Sequence, residues 1–294
     1  MKIHYRLATI IVSYKSDEKT IYFIKNELSK CFISQIIVIV NNKATKESSA
    51  IMAKELLGSV IYDITFSIPN NCNIFIIHNT DNSGFAKGNN IGVNFLNIHF
   101  DIDYLLFSNN DILLKDNNVI ETMILKMDKL PEVGIIGPKI IGLKGDYQNP
   151  YDYVPFWKEM VGIYWERFIP FYHIEYLNRE TAKEGYYYRV MGSFFITRTI
   201  DFINCGMMDP NTFLFYEEPI LSERMLNINR KTYYIPNVCV IHEHGGTINS
   251  SNISNNCLFN SGLYYFKYYK NVSSFSIFLA TASNYIYNSL KKLK

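Results

Sequence analysis

Three small polar residues directly follow a short apolar run and are the first candidates for chemistry. Tyr104-Leu-Leu-Phe107 is typical of a buried strand, and Asn109, Asn110 and Asp111 come at its end. In open α/β sheets, ligands collect outside the carboxyl ends of the strands. A carboxylate flanked by amide side chains can there hold a hard divalent cation and share it with phosphate oxygens. The same residues also suit an Asx-rich turn, in which Asn and Asp bond their own backbone.

A glycine-rich segment, Asn82-Ser-Gly-Phe-Ala-Lys-Gly-Asn-Asn-Ile-Gly92, lies between an apolar run and a helical pattern. Its glycines allow close approach of another backbone, and the start of a helix offers unpaired N–H groups to an anion. These features predict contact with a phosphate group. Tight packing of a helix on a strand needs the same glycines and is an equal alternative.

Two adjacent carboxylates, Glu217 and Glu218, follow the aromatic run Phe213-Leu-Phe-Tyr216 and precede Pro219. Apolar walls raise the pKa of a carboxyl group toward neutral pH, which suits a general base. Acidic residues and proline are also favoured in the first turn of any helix. The segment therefore predicts either a catalytic base or a plain helix start.

A histidine, His242, ends the apolar run Val238-Cys-Val-Ile241. Imidazole at a strand end can be a second protein ligand for a cation that Asp111 holds. A hydrogen-bonded surface histidine is the alternative.

The elements that must position these residues alternate between strands and helices up to about residue 145. This alternation predicts βαβ units and a mostly parallel sheet flanked by helices. Residues 147–188 are crowded with aromatic side chains and have no clear period. We predict one α/β domain over 1–270, with a nucleotide-side half at about 1–145 and an acceptor-side half at about 146–270, followed by a C-terminal amphipathic helix over 271–294. The predicted strands are 8–14, 35–41, 73–78, 104–107, 133–139, 189–197, 231–234 and 238–241.

Composition narrows the classes of partner. The chain has 294 residues, is 48% hydrophobic and has a formal net charge of +2, so no strong field calls for nucleic acid. Its five cysteines are scattered without a CxxC pair, which favours free thiols in a reducing cytoplasm over a zinc site or disulfides. No apolar run is long enough to span a bilayer, and the first residues lack a signal-peptide pattern. These observations predict a cytoplasmic protein.

The order and spacing of the motifs together resemble the family 2 glycosyltransferases of the GT-A fold, in particular the rhamnosyltransferase-like group that builds bacterial O-antigen and capsule polysaccharides. The glycine-rich segment matches the family pattern N-x-G-[FY]-[AS]-x-G-x-N-x-G. Asn109 and Asp111 stand at the family's DxD or N-x-D metal motif. Glu217 and Glu218 begin a match to E-[DE]-x-x-L-x-x-R, and His242 matches a late histidine of the metal site.

The resemblance implies an inverting enzyme that moves a sugar from a nucleotide-diphosphate sugar to a glycan or lipid-linked glycan acceptor. It implies a divalent cation, Mg²⁺ or Mn²⁺, on Asp111 and His242, and Glu218 as the catalytic base. The implied nucleotide-sugar-binding residues are Ser13, Tyr14, Asn41, Asn82, Gly84, Phe85, Lys87, Gly88, Asn90, Asn109 and Asn110. The implied acceptor-side residues are Gly192, Ser193, Glu217 and Arg224.

Two positions depart from the family pattern. Val40 stands where the second strand of the family has an Asp that helps to hold the base or ribose. Asn109 replaces the first acidic residue of DxD, which lowers the negative charge offered to a cation.

Two other classes of protein share a similar architecture. A sugar-nucleotide pyrophosphorylase needs a glycine-rich loop with Arg and Lys right after the first strand, and Ser13-Tyr-Lys-Ser-Asp17 does not supply one. A non-catalytic polysaccharide-assembly subunit could use the same fold, but the presence of Asp111, Glu218 and His242 together speaks against it.

The segment from Phe275 to Leu293 is apolar and aromatic on much of its circumference and is followed by lysines. Such a helix can lie on an anionic membrane surface, near a lipid-linked acceptor, which predicts peripheral contact with the inner face of the cell membrane. Packing of the helix on the domain is the alternative.

Overall fold

The structure of the protein is a computed structural model that describes residues 2–62, 69, 72–162, 165–166, 177–243 and 252–292, with side chains from 256 to 290 in the last range. Part of the aromatic stretch predicted to cover the acceptor side, residues 163–164 and 167–176, lies outside the described residues.

Strands and helices alternate along the chain. The strands are β1 (Ile3–Tyr14), β2 (Gln35–Asn42), β3 (Ser59–Tyr62), β4 (Ile74–Asn79), β5 (Phe100–Ser108), β6 (Ile112–Leu114), β7 (Val133–Gly142), β8 (Gly185–Tyr187), β9 (Phe194–Arg198) and β10 (Lys231–His242). The helices are α1 (Asp17–Tyr22), α2 (Lys46–Glu55), α3 (Gly84–His99), α4 (Val119–Lys129), α5 (Thr199–Asn204), α6 (Glu217–Asn227), α7 (Asn252–Tyr268) and α8 (Ser274–Lys292). A π-helical turn over Phe23–Glu27 extends α1, and another covers Lys158–Gly162.

The described strands form one mixed sheet in the order β3-β4-β2-β1-β5-β9-β7-β10-β6, with β8 also paired to β10. The pairs among β1 to β5 that touch are parallel, as is β7 with β10, whereas β9, β6 and β8 run antiparallel to their neighbours. This arrangement confirms the predicted α/β class with a mostly parallel sheet flanked by helices.

Both faces of the sheet are covered, which explains why the central strands read as continuous apolar runs. Every residue of β2 is buried. Ile37 and Ile39 join an apolar cluster with α4, while Ile36 and Val38 join a second cluster with α3 on the other face. The alternation of successive side chains between the two faces of a strand produces this division.

Contacts that are distant in sequence set several element boundaries. The two strands predicted at 231–234 and 238–241 are one strand, β10, whose register against β7 shifts between Ile235 and Cys239, around Pro236. The short strand β6 was not predicted, because three residues carry no period of their own. It pairs with the end of β10, and the backbone N–H of Leu114 donates to the buried carboxylate of Glu27 at 2.7 Å.

The sheet brings the ends of four strands together. β1, β5 and β10 end there, and antiparallel β9 begins there, so that Asn109 and Ser193 meet through an N–H to carbonyl hydrogen bond of 2.8 Å. Helix α3 packs closely on β1, because a Cβ atom at Gly92 would lie 2.8 Å from Ile10 Cγ2. The glycine-rich segment therefore serves helix packing at this position.

Candidate active site

The centre of the site is the pair Asp111 and His242, which the antiparallel pairing of β6 with β10 holds together. Ile112 is the register partner of His242, and the N–H of Glu243 donates to the backbone carbonyl of Asp111 at 2.9 Å. Asp111 Oδ1 lies 3.3 Å from His242 Nε2, and both side chains are largely buried. Asn109 Nδ2 lies 3.4 Å from the same nitrogen. The structure thus brings three of the predicted residues to one point.

The tautomer of His242 follows from a chain of hydrogen bonds behind it. His242 Nδ1 is 2.8 Å from Gln148 Oε1, and Gln148 Nε2 donates to Asp146 Oδ2 at 3.0 Å. A carboxylate only accepts, so the amide nitrogen of Gln148 must face Asp146 and its carbonyl oxygen must face the imidazole. The proton of the neutral ring is therefore on Nδ1, and Nε2 presents a lone pair toward Asp111.

This pair fits a divalent cation. Asp111 Oδ1 is buried and has no hydrogen-bond partner among the described residues. Burial acts to raise the pKa of Asp111, but the neighbouring His242, the backbone N–H of Asp111 itself and the charge of Lys19 together outweigh it, and the net pKa is lowered. Two ligand atoms that each lie about 2.1 Å from one ion, about 90–110° apart, are roughly 3.0–3.4 Å from each other, which matches the spacing here.

The protein supplies only part of a coordination shell. Among the described residues, no group of three His, Cys, Asp or Glu side chains forms a metal site. A cation on Asp111 and His242 therefore needs further oxygen ligands from water or from a bound phosphate, the arrangement usual for Mg²⁺.

Two cavities meet at Asp111. One, of about 430 Å³, is lined by Tyr14, Lys15, Ser16, Asp17, Glu18, Lys19, Asn110 and Asp111, and we call it the nucleotide-side cavity because it lies in the half predicted to bind the nucleotide. The other, of about 370 Å³, contains Asn109, Asp111, Ser193, Glu218 and His242 with aromatic and apolar walls. A ligand that passes through both cavities must lie against Asp111.

Helix α6 begins at the wall of the second cavity, directly after a stretch of backbone with an unusual conformation. Phe215 and Tyr216 have φ angles of 71° and 66°, in the left-handed region that non-glycine residues rarely adopt. Such conformations cost of order 1–3 kcal/mol each and cluster at functional sites. They turn the chain so that Glu217 and Glu218 both line the cavity.

The two carboxyl groups have different surroundings. Glu218 Oε1 accepts a hydrogen bond of 2.9 Å from the N–H of Gly192. A Cβ atom at Gly192 would lie 2.7 Å from that oxygen, so only glycine leaves room for it. Glu217 is 5% exposed, and its Oε1 has no hydrogen-bond partner among the described residues.

The pKa of Glu217 is raised to about 8, first by burial and then by the neighbouring charge of Glu218. Glu217 is therefore mainly protonated at neutral pH. A protonated carboxyl group donates a hydrogen bond as well as accepting one, which distinguishes its chemistry from that of a carboxylate.

The glycine-rich motif mostly builds the turn that shapes the site. Gly84 has φ +75°, and a Cβ atom there would lie 2.4 Å from the carbonyl oxygen of Phe213. Asn90 Nδ2 donates to the carbonyl of Met208 at 2.8 Å, and Asn82 Oδ1 accepts from the N–H of Gly84 at 3.3 Å. Of the predicted motif residues, Phe85 lines the second cavity.

Other predicted positions have structural partners. Gly88 packs α3 on β1, where a Cβ atom would lie 3.0 Å from Val12, and Lys87 is exposed. Ser13 Oγ accepts from Thr20 at 2.9 Å and is fully buried. Arg224 donates to the carbonyls of Gly206 and Met207 at 2.6 and 3.0 Å, so it ties α6 to the preceding loop.

Asn41 and Asn110 act through side chains beside the nucleotide-side cavity. Asn110 Nδ2 donates to Ser16 Oγ and to Thr20 Oγ1, both at 2.7 Å. Asn41 Nδ2 donates to Ser48 Oγ at 2.9 Å, and that hydroxyl donates to Asp17 Oδ2 at 2.5 Å.

Asp17 is a candidate that the sequence pattern did not single out, because it was interpreted only as a helix start. It lines the nucleotide-side cavity, and its Oδ1 is buried without a hydrogen-bond partner among the described residues. A carboxylate oxygen in this state can accept from a ligand hydroxyl or N–H. The only sequence signal was its place three residues after the end of the predicted strand 8–14.

The second cavity contains two more unpredicted charges, Glu159 and Arg189. Burial raises the pKa of Glu159, although Tyr216 donates a hydrogen bond of 2.7 Å to it. The Arg189 guanidinium stacks on the Tyr151 ring at 3.7 Å from its centroid. Both lie in or beside the aromatic stretch, where no period pointed to them.

Comparison with known proteins identifies the fold through solved structures alone. No family model matches the chain, and no curated protein matches its sequence. A crystal structure of GalNAc-T7 with UDP, GalNAc and Mn²⁺ matches with a TM-score of 0.57 at 13% identity, covering 90% of this chain and 48% of that one. A crystal structure of S. aureus TarS 1–349 matches with a TM-score of 0.52 at 13% identity, covering 90% and 73%.

The fold is that of the GT-A glycosyltransferases. The full TarS structure matches at 12% identity with a TM-score of 0.52. The chain spans about half the length of the GalNAc-T7 chain. At these identities the similarity establishes the GT-A architecture.

The hydrogen bond behind His242 generates a first prediction. Replacing Gln148 with Leu removes the acceptor on Nδ1, so the neutral imidazole should move its proton to Nε2, and Mn²⁺ affinity should fall about 10–100-fold. Nitrogen-15 NMR of labelled histidine reports the tautomer, and titration with Mn²⁺ reports the affinity. Glu180→Gln, at an exposed position away from this chain of hydrogen bonds, is the control and should change neither the ring shifts nor the affinity. Unchanged ring shifts in Gln148→Leu would contradict the assignment.

The raised pKa of Glu217 generates a second prediction. Between the unfolded pKa of about 4.5 and the folded pKa of about 8, the folded protein binds a proton that the unfolded chain has released. This group therefore makes stability fall as pH rises through that window, by up to about 1.4 kcal/mol per unit. Glu217→Gln should remove this component, so its advantage over wild type should grow from about pH 5 to pH 8.

Urea unfolding at several pH values checks the difference between the two proteins. Glu180→Gln, at an exposed position, is the control and should show no such growing difference. Parallel curves for wild type and Glu217→Gln would mean that Glu217 is ionised in the folded protein throughout this range.

Proposed function

We propose that the protein is an inverting glycosyltransferase that moves a sugar from a nucleotide-diphosphate donor to a glycan or lipid-linked glycan acceptor. The observation that carries the proposal is the position of Asp111, which lines both cavities. A nucleotide-diphosphate sugar has the matching layout, because its diphosphate joins a nucleoside at one end to a reactive sugar at the other.

The nucleotide-side cavity would hold the nucleoside and part of the diphosphate. Lys15 and Lys19 line it and offer positive charge to phosphate oxygens. Asp17 would accept hydrogen bonds from the ribose hydroxyls or the base through its Oδ1, which no other described residue contacts by a hydrogen bond. A carboxylate held by Ser48 and Asn41 at this place would take the role that Val40 cannot perform.

Asp111 and His242 would hold Mg²⁺ or Mn²⁺ on the diphosphate. When bound, such a cation neutralises charge that develops on the leaving group. The crystal structure of GalNAc-T7 contains UDP and Mn²⁺, which supports the same type of ion here. Gln148 keeps the lone pair of His242 Nε2 directed to the ion position, and Asn109 contributes an uncharged neighbour.

Glu218 would act as the catalytic base. The acceptor hydroxyl oxygen attacks the anomeric carbon, its proton passes to the Glu218 carboxylate, and the bond between the anomeric carbon and the diphosphate oxygen breaks. The Gly192 N–H holds one oxygen of Glu218 at 2.9 Å, which limits rotation of the carboxylate. Glu217, protonated at neutral pH, would donate a hydrogen bond to the bound sugar, because its Oε1 has no hydrogen-bond partner in the part of the chain that the structure describes.

The acceptor would enter beside Ser193, Tyr151 and Arg189, which line the second cavity. Aromatic rings and guanidinium groups pack well on sugar faces and bind hydroxyl or phosphate oxygens. Bacterial surface-polysaccharide synthesis in the cytoplasm, with a hexosyl or deoxyhexosyl donor such as a rhamnosyl donor, rests on the motif resemblance of this chain. Gly192 and Arg224 support the acceptor side by holding α6 and its carboxylates.

A screen of nucleotide sugars with Mn²⁺ tests the function. A donor present at about 100 times its Kd should stabilise the fold by roughly 2.7 kcal/mol, and the same donor should be consumed when an acceptor is added. Asp111→Ala should abolish both metal-dependent stabilisation and transfer, while Leu57→Ala, on an exposed surface, should change neither. Binding without consumption would indicate a non-catalytic subunit, and release of pyrophosphate from a sugar phosphate with a nucleoside triphosphate would indicate a pyrophosphorylase.

The assignment of the base generates a further prediction. Glu218→Gln keeps the shape and the hydrogen bond to Gly192 but cannot accept a proton, so kcat should fall about 10²–10⁴-fold with little change in donor affinity. Glu217→Gln keeps a neutral hydrogen-bonding group and should act mainly on KM. Steady-state kinetics of the two variants decides between them. If the Glu218→Gln enzyme were normally active and the Glu217→Gln enzyme were inactive, the catalytic base would be Glu217 and not Glu218.

A further inference from the structure

Helix α8 presents an apolar face to solvent. Among its described side chains, the large apolar residues with at least 40% exposure are Phe275, Phe278, Leu279, Tyr285, Ile286 and Leu290. Their spacing of three, four and seven residues places them on one side of a helix with 3.6 residues per turn. Exposed apolar residues that occur singly need no explanation, but a continuous row marks an interaction surface.

The opposite side of α8 packs on the protein. Ala280 is fully buried and Ile277 packs against the same apolar cluster. Ser283 Oγ accepts a hydrogen bond of 2.6 Å from Trp165 Nε1. At 100° per residue, Ile277 and Ala280 lie roughly 150° around the helix axis from the middle of the exposed row, and Ser283 lies roughly 80° from it, at the border of the row. Helix α8 is therefore docked in a fixed orientation, with its exposed apolar row directed away from the protein.

The charge of this part of the chain is uniform. Residues 244–294 contain five lysines and no Arg, Asp or Glu, whereas the first 243 residues contain 24 basic and 27 acidic residues. Lys267 is exposed, and Lys270 pairs with Glu223 at 3.0 Å. Lys291, Lys292 and Lys294 follow the apolar row in sequence. An apolar helix face within a purely cationic segment matches the surface of an anionic membrane.

We propose that α8 docks the protein on the surface of a bilayer containing anionic lipids, with Phe275 and Phe278 inserted between the head groups. Among the described residues, no helix combines the length and apolarity needed to cross the bilayer, so α8 would lie in the plane of the interface. The helix contacts the π-helical turn Lys158–Gly162, whose Glu159 lines the second cavity. Docking would thus bring the acceptor side of the site close to lipid-borne substrates.

A second copy of the chain fits this face less well. A two-fold dimer places the same patch of both subunits together, so the lysine-rich segments would approach each other without acidic partners of their own. An anionic leaflet instead attracts these lysines.

Co-sedimentation of the full chain with vesicles tests the proposal. Wild type should bind phosphatidylcholine vesicles that contain phosphatidylglycerol. It should bind more weakly to pure phosphatidylcholine vesicles, and more weakly to the phosphatidylglycerol-containing vesicles at high salt. The double variant Phe275→Ser/Phe278→Ser should lower partitioning by about tenfold or more per phenylalanine. Phe32→Ser/Leu57→Ser is the matched control, because these residues are 86% and 90% exposed elsewhere, and it should bind like wild type.

Thermal unfolding of both double variants checks that each remains folded. Equal partitioning of the α8 variant and wild type, or no binding by wild type, would overturn the proposal. Gel filtration tests whether a second copy of the chain covers this face instead. If wild type is a dimer and the α8 variant is a monomer, the face binds a second copy, and the membrane proposal is also overturned. Vesicle binding needs no donor sugar, so its failure leaves the proposed transfer reaction untouched.

Discussion

The three-residue strand β6 is the constraint on which the site depends. It runs back along the end of β10 and places the oxygen of Asp111 3.3 Å from the imidazole of His242. Neither residue could reach the other from its own strand end without this reversal. Gln148 then fixes which imidazole nitrogen carries the proton of the neutral ring. A carboxylate oxygen and an imidazole nitrogen held this close are stabilised by a positive charge between them, either a proton or a metal ion, so the backbone pairing itself creates a position for positive charge.

The same end of the sheet also contains a buried acidic residue, Glu217, whose burial destabilises the folded protein. Glu217 loses its hydration and lies beside a second carboxylate, which is why its proton is retained near neutral pH. Two left-handed residues precede it at a further conformational cost. The large apolar clusters on both faces of the sheet supply the stability against which such a site can be maintained. The strained backbone of Phe215 and Tyr216 thus lies beside a Glu217 oxygen that has no hydrogen-bond partner among the described residues. This combination is expected where a bound substrate supplies the missing contact.

Sequence patterns predicted the strands of the central sheet well, because a strand buried on both faces must be apolar along its whole length. They predicted poorly where pairing partners decide the structure. Strand β6 has three residues and β8 has three, too few for any period, and β10 continues through Pro236 because β7 accompanies it on both sides of the register shift. The charged residues Asp17 and Glu159 were missed for a related reason, since burial beside a cavity leaves no trace in a local pattern.

The amino-acid sequence by itself determined the α/β class, the glycine-rich turn before α3 and the candidate acids and histidine, because these follow from local periodicity and from residue types with few substitutes. Only the tertiary structure decided what each candidate touches. Arg224 and Asn90 donate to backbone carbonyls, while Asp17 has an oxygen without a hydrogen-bond partner among the residues that the structure describes. Such differences arise from contacts between segments up to 133 residues apart, as for Asn109 and His242. Local sequence patterns do not show that these two residues are close in space, because the pairing of distant strands in the sheet brings them together.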